Sequence, residues 1–247
     1  MNPFARHHME YLSPSRLSLF AAEPAVFVLQ YLLKRTVPVG AAAHRGTAAE
    51  AGVTRGLVEG LATEACQGIA LLEFDRLTAL SGDPNRQKER DAVPGCVEQA
   101  LEQLRPYGVP DQVQTRIETN LDDIPVPIIG FLDYAWSQHG ILVDLKTQLR
   151  LTSEISVGHG RQVSIYMRAT NYAGRLCYAT PKKSAVYEVE NAAVHITALT
   201  QIAYRLQRFL AISDDPQELA SIVCPDYEDF RWNNPVARQL GAEVYGF

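Results

Sequence analysis

The hydrophobic pattern changes its period along the chain. As far as Pro110 the apolar residues recur at helical spacing. Ser13 and Ser15 flank Pro14 ahead of RLSLFAAEPAVFVLQYLLKR; the serines suit helix initiation, and Pro24 must break or kink the helix or begin a second one. A further helix is predicted from about Arg45 to Ala70, Ala-rich with an apolar stripe but interrupted by glycines. Another is predicted from Asn85 to Leu104, with an interruption at Pro94.

After Pro110 the period shortens. VQTRIETNL alternates as a half-buried strand does, and VPIIGFLDYAWS and GILVDLKTQ read as two more strands around a short polar turn. VGHGRQVSIYMRATNYAG returns to helix, RLCYATPK and SAVYEVE are two short strands, and a long helix runs from about Asn191 to Ala211. The tail is mixed, with Trp232 and Tyr245 as its anchors. This order predicts an α/β chain forming one domain: a mostly helical stretch over 1–109, a sheet with its helix over 110–190, and C-terminal helices over 191–247.

The composition, 47% hydrophobic and 21% charged, is that of an ordinary globular protein and excludes disordered or collagen-like chains. No apolar run approaches the roughly 18 residues a membrane span needs, and MNPFARHHMEYL lacks the layout of a signal peptide, so a cytoplasmic location and no membrane partner are expected. Cys66, Cys96, Cys177 and Cys224 form no C-x-x-C pair, which points to reduced thiols rather than a zinc site or a disulfide framework. The net charge of -5 at first counts against a nucleic-acid partner. The charge is uneven, however. From Asp144 to Lys183 seven basic residues (Lys146, Arg150, Arg161, Arg168, Arg175, Lys182, Lys183) face two acids (Asp144, Glu154), a local balance of +5.

The chemistry concentrates in that same region. With Gln138 and His139 at the centre of a hairpin, Asp133 opposes Asp144 on one face, and Lys146, two residues on, points the same way. A bulge at Gly140 would shift this register by one. Ile141, Val143 and Leu145 imply that the strand is buried, and two like charges in an apolar sheet need something positive between them. Oxygen ligands beside one ammonium suit magnesium or manganese better than zinc. An acid-x-Lys triplet alone says little in a chain with 28 acids, and both aspartates read equally well as solvated strand residues. The whole arrangement says more: Gly-x-x-Asp, then Asp-x-Lys, then a helix carrying Gln162 and Tyr166 one turn apart.

Taken together, these motifs resemble the PD-(D/E)XK nucleases and, within them, the RecB-type exonuclease branch with its phage and CRISPR-associated relatives. SPSRLSLF with Glu23-Pro24 is similar to that branch's N-terminal helix start, Gly46 to Glu50 to its first motif, GFLDYAWSQHGILVDLKT to its second and third, and Gln162-x-x-x-Tyr166 to its helical signature. The resemblance implies a restriction-endonuclease-like core, a central mixed sheet flanked by helices, with a helical N-terminal elaboration. It implies that Glu50, Asp133, Asp144 and the Leu145 carbonyl ligate Mg2+, with Mn2+ able to substitute, and that Lys146 is the catalytic lysine. Gln162 and Tyr166 would contact the DNA strand or brace the reacting water, and Arg161 and Arg16 would meet phosphates. Many members carry four cysteines that hold an iron–sulfur cluster; here Glu23 stands at the N-terminal position and the C-terminal region offers only Cys224, so no cluster is expected.

The function so implied is a metal-dependent deoxyribonuclease, an exonuclease leaving 5′-phosphates in recombination, repair or phage replication, without a motor domain of its own. Its partner would be DNA, as single strands or duplex ends; homo-oligomerisation and a recombination or replication partner stay open. Two competing readings are a DNA-binding partner that kept the fold and lost turnover, and a small-molecule hydrolase with a carboxylate metal site.

Overall fold

The computed structural model describes residues 2–246. In chain order its helices are α1 (Pro3–Arg6), α2 (Pro14–Ala22), α3 (Pro24–Phe27), α4 (Ala41–Val58), α5 (Thr63–Leu77) and α6 (Arg86–Leu104). Strands β1 (Gln112–Thr119), β2 (Ile128–Trp136) and β3 (Ile141–Thr147) follow, then α7 (Val157–Thr170), β4 (Ala173–Ala179), β5 (Ser184–Glu188), α8 (Ala192–Leu210), α9 (Pro216–Ser221) and α10 (Pro235–Tyr245). Ser13 caps α2 by accepting a hydrogen bond from the Arg16 N–H, and Pro24 opens α3, as the sequence predicts.

Two expectations are corrected. The single helix expected from Arg45 to Ala70 is two, α4 and α5, because the chain turns at Glu59–Ala62, where Gly60 takes a φ of +67° that other residues avoid. Pro94, expected to interrupt its helix, lies inside an unbroken α6. It has no N–H for the preceding turn, and the helix is held in place there by packing against α5, to which the Gln67 Nε2 bond to the Pro94 carbonyl at 3.1 Å also ties it.

The chain gathers into two compact units, the larger made of 39–117 and 131–190, the smaller of 2–38, 118–130 and 191–246. In the larger unit the sheet has the order β1-β2-β3-β4-β5. β2 and β3 are antiparallel, β3 and β4 parallel, and β4 and β5 antiparallel. Tyr134, Trp136, Ile141, Val143, Leu145, Cys177 and Ala179 turn one way and form a continuous core with Ala48 and Val53 of α4, Phe74 of α5 and Val97 and Leu101 of α6. Alternation sends Leu142, Asp144, Lys146, Leu176 and Tyr178 the other way, toward α7. That helix sits close because residue 174 is glycine: a Cβ there would lie 2.5 Å from Val163 and 2.6 Å from Met167.

The smaller unit has its own core around Ala25, Val26, Leu29, Trp232 and Ala237. Trp232 stacks edge-on against Tyr227 and Tyr245, and the Tyr245 hydroxyl donates to the Ala25 carbonyl at 2.6 Å, so both expected anchors are in place. Helix α8 buries Leu199, Ile202, Ala203, Leu206 and Leu210, one stripe at helical spacing. Cys66, Cys96 and Cys177 are buried free thiols and Cys224 is exposed. Among the described residues no helix is long and apolar enough to cross a membrane.

Candidate active site

The β2–β3 hairpin sets the geometry. Its ladder pairs Tyr134 with Val143, Ala135 with Leu142 and Trp136 with Ile141, so Gly140 introduces no slip and the register carries Asp133 opposite Asp144. At this point a side chain takes over from the ladder: the Leu145 N–H donates to Asp133 Oδ2 at 2.8 Å. Asp144 is fully buried. Its Oδ2 lies 2.6 Å from Lys146 Nζ, while its Oδ1 accepts no hydrogen bond from any described residue.

Helix α4 brings in the third acid. Glu50 is half-buried, and its backbone carbonyl accepts from the Tyr134 hydroxyl at 3.3 Å; that hydroxyl also meets Thr54 Oγ1 at 2.9 Å, fixing α4 against β2. Gln114 of β1 completes the group. Its amide Nε2 donates both to Glu50 Oε1 and, at 3.1 Å, to Asp133 Oδ1.

Three carboxylates share one ammonium, and the proton affinities of Glu50 and Asp133 record the imbalance. Burial, followed by the Asp144 charge, pushes Glu50 up to about 7, with Lys146 opposing. Burial raises Asp133 well above the usual carboxylate range, reinforced by Asp144 and Glu50. For Lys146 burial acts downward, but Asp144 and Asp133 outweigh it and hold the ammonium above the ordinary lysine range. Lys146 therefore stays charged at neutral pH.

Helix α7 covers the same face. Ser156 caps it by accepting from the His159 N–H, and Gln162 Nε2 donates to the Tyr166 hydroxyl at 2.8 Å. Tyr166 is buried; burial and then the Asp144 charge raise its pKa, so it stays a neutral phenol in reach of the acids' field. One turn earlier, His159 Nδ1 meets the Tyr178 hydroxyl at 2.8 Å. Burial and then the nearby Lys146 lower the His159 pKa, leaving a neutral imidazole.

The expected site residues Glu50, Asp133, Asp144, Leu145, Lys146, Gln162 and Tyr166 thus all belong to the larger unit. Arg161, beside Gln162, is half-buried with no partner for its Nε. Arg16 lies in the smaller unit, its guanidinium 4.4 Å from the Tyr11 ring centre and 4.8 Å from that of Tyr31, donating to the Tyr11 carbonyl at 3.0 Å. Arg175, counted above in the basic segment, points to the opposite side of the sheet, where it donates to the Tyr107 hydroxyl at 2.9 Å. Sequence reasoning missed Gln114 and His159. His159 was legible in principle, three residues before Gln162 on the same helical stripe. Gln114 carried no such signal, being one polar residue in an alternating strand.

The donor set fits a hard divalent cation. A fully buried carboxylate oxygen without a partner, beside two further carboxylates short of positive charge, is oxygen-rich and under-neutralised. Among the described residues no three His, Cys, Asp or Glu side chains already close on one point. Donors occupy the oxygens instead: Gln114 between Glu50 and Asp133, Leu145 N–H on Asp133, and Lys146 on Asp144.

Comparison with known proteins places the chain in a family and shows a similar fold. The sequence matches the family model of the PD-(D/E)XK nuclease superfamily over residues 11–239. Among curated proteins none matches. The crystal structure of a candidate exonuclease from Eubacterium rectale is similar with a TM-score of 0.55 at 14% identity, covering 86% of each chain. The crystal structure of SSO0001 is more distantly similar, over 74% of this chain and 84% of that one, at 18% identity and a TM-score of 0.37. The family match runs from ahead of α2 into α10 and takes in the acids of the hairpin, the lysine beside them and the glutamate of α4: the chain belongs to the PD-(D/E)XK nuclease superfamily.

Proposed function

We propose that the protein is a metal-dependent deoxyribonuclease of the RecB type, acting as an exonuclease at DNA ends and leaving 5′-phosphates. The observation that carries this reading is the fully buried Asp144, with an oxygen that no described residue satisfies, set opposite Asp133 and beside a charged Lys146. Glu50, Asp133, Asp144 and the Leu145 carbonyl would hold Mg2+ or Mn2+, and the bound ion would supply positive charge to the scissile phosphate and lower the pKa of the attacking water. Lys146, kept protonated by the acids, orients that water and neutralises charge developing on the phosphate rather than acting as a base. Gln162 fixes the Tyr166 hydroxyl, and the pair braces the strand being cut. His159, held through Nδ1 by Tyr178, presents Nε2 to a phosphate oxygen. The exonuclease assignment is in keeping with the Eubacterium rectale protein that shares the fold, and exposed Arg150, Lys182 and Lys183 supply salt-sensitive attraction to DNA. Recombination, repair or phage replication is the setting that the RecB-type motifs imply.

The test is release of nucleotides from end-labelled DNA in the presence of Mg2+ or Mn2+. Activity is expected with the cation and lost on chelation. Asp133→Ala or Lys146→Ala protein that still degrades DNA at the wild-type rate would overturn the assignment.

A further inference from the structure

Gln114 stands where a cation would be useful. Its carboxamide nitrogen carries two N–H groups, and they go to oxygens of two different acids, Glu50 Oε1 and Asp133 Oδ1. A neutral amide thus draws together two carboxylates that would otherwise repel each other. The backbone is bent to allow it. Gln114 has a φ of +46°, in the left-handed region that residues other than glycine seldom occupy, and it does so inside β1. A left-handed residue breaks the alternation of a strand as a bulge does and re-aims its side chain. Independently, the fully buried Asp144 beside this pair has an oxygen without a partner among the described residues, so the group still lacks positive charge while Gln114 is in place.

We propose that Gln114 is a displaceable latch: its amide holds Glu50 and Asp133 in the cation-free protein, and a divalent cation binds by taking those two carboxylates from it. This rests on the reading of Glu50, Asp133 and Asp144 as cation ligands. The chemistry of the side chain suits the part. A lysine at this position would neutralise the acids permanently and compete with the ion charge for charge. An amide offers hydrogen bonds without net charge, so it keeps the acids ordered yet yields to a doubly charged ion. Gln114 is exposed, so its side chain has solvent to swing into. The consequence is a measurable reduction of affinity, because the ion binds only the fraction of molecules in which the latch is open.

The experiment is calorimetric titration of the full chain with Mn2+ alone, accompanied by melting curves with and without the ion. Gln114→Ala is expected to bind Mn2+ roughly threefold to tenfold more tightly than wild type, the range set by losing hydrogen bonds to charged groups that are partly exposed. Its melting temperature should fall without the ion and approach that of wild type at saturating Mn2+. Gln114→Gly is the second variant, since glycine accepts the left-handed backbone without strain while the side chain and its amide are gone; it should show the same tightening even if the alanine variant folds poorly. Unchanged or weaker Mn2+ affinity in the glycine variant would overturn the latch, weaker binding making Gln114 a ligand. Asp144→Ala separates the two levels of the argument. Mn2+ binding that survives it in full would refute the ligand site, and the latch with it, whereas binding that depends on Asp144 but ignores Gln114 would refute the latch alone.

Discussion

Helix α4 carries two charges into the interior of the larger unit, Arg45 and Glu50, and their surroundings treat them in opposite ways. Arg45 is paired with Glu89, both nearly fully buried, and its remaining donors reach the Thr147 carbonyl at 3.0 Å and the Thr147 hydroxyl at 3.2 Å. Every charge there has an opposite, and the group pins the end of β3 next to Lys146. Glu50, little more than a turn along the helix, joins two other acids around a single lysine, held by an amide rather than a cation. A buried pair that balances is structure, since removing one partner strands the other. A buried group that does not balance lowers stability as it stands, and under the function proposed above the missing charge is that of the cation it would bind.

The largest test of this contrast is activity. Asp144→Asn should reduce DNA cleavage by about a thousandfold or more, the size expected when a group acting on transition-state charge is lost. Glu89→Gln should leave the rate per folded molecule within about tenfold of wild type, because Arg45 acts only by positioning β3. Stability should divide the other way. Glu89→Ala leaves the Arg45 guanidinium buried and unpaired, and denaturant unfolding should show a loss of about 3–5 kcal/mol. Asp133→Asn removes a like charge from the surplus group while keeping an oxygen for the Leu145 N–H and leaving the Asp144–Lys146 pair intact, and the cation-free protein should melt at a higher temperature than wild type. A fall in the Asp133→Asn variant matching that of Glu89→Ala would erase the distinction.

A smaller effect comes from pH. Glu50 titrates near 7 in the folded protein against an ordinary value of 4.5. Between those values the folded state binds more protons than the unfolded one, so stability falls as pH rises through that window. Melting curves of cation-free protein from pH 5 to pH 8 should show this decline in wild type and a shallower one in Glu50→Gln. Saturating Mn2+ should flatten it too, by taking the place of the proton.

Much of the fold was legible because its signals are local. The change of hydrophobic period at Pro110 marks the start of the sheet, and the hairpin register followed from a turn centred on Gln138 and His139. That register by itself opposes Asp133 to Asp144. What stayed hidden depends on distant partners or on backbone angles. Pro94 reads as a helix break from its missing N–H alone, yet α6 continues through it, packed against α5 and tied to it by the Gln67 amide, a partner 27 residues away. Arg45 gave no sign of burial, since Glu89 lies 44 residues away. The two units are each assembled from discontinuous segments, which periodicity cannot reveal. Gln114 was invisible for the simplest reason: nothing in VQTRIETNL announces a left-handed residue in mid-strand.

The most direct test of the central claim is a crystal structure soaked in manganese and recorded at a wavelength where the ion scatters anomalously. The result expected is a peak bounded by carboxylate oxygens of Glu50, Asp133 and Asp144, with the Gln114 amide withdrawn from the two acids it now bridges. Fully active crystals of the same protein with those three side chains unmoved, Gln114 still in place and manganese bound elsewhere would contradict it.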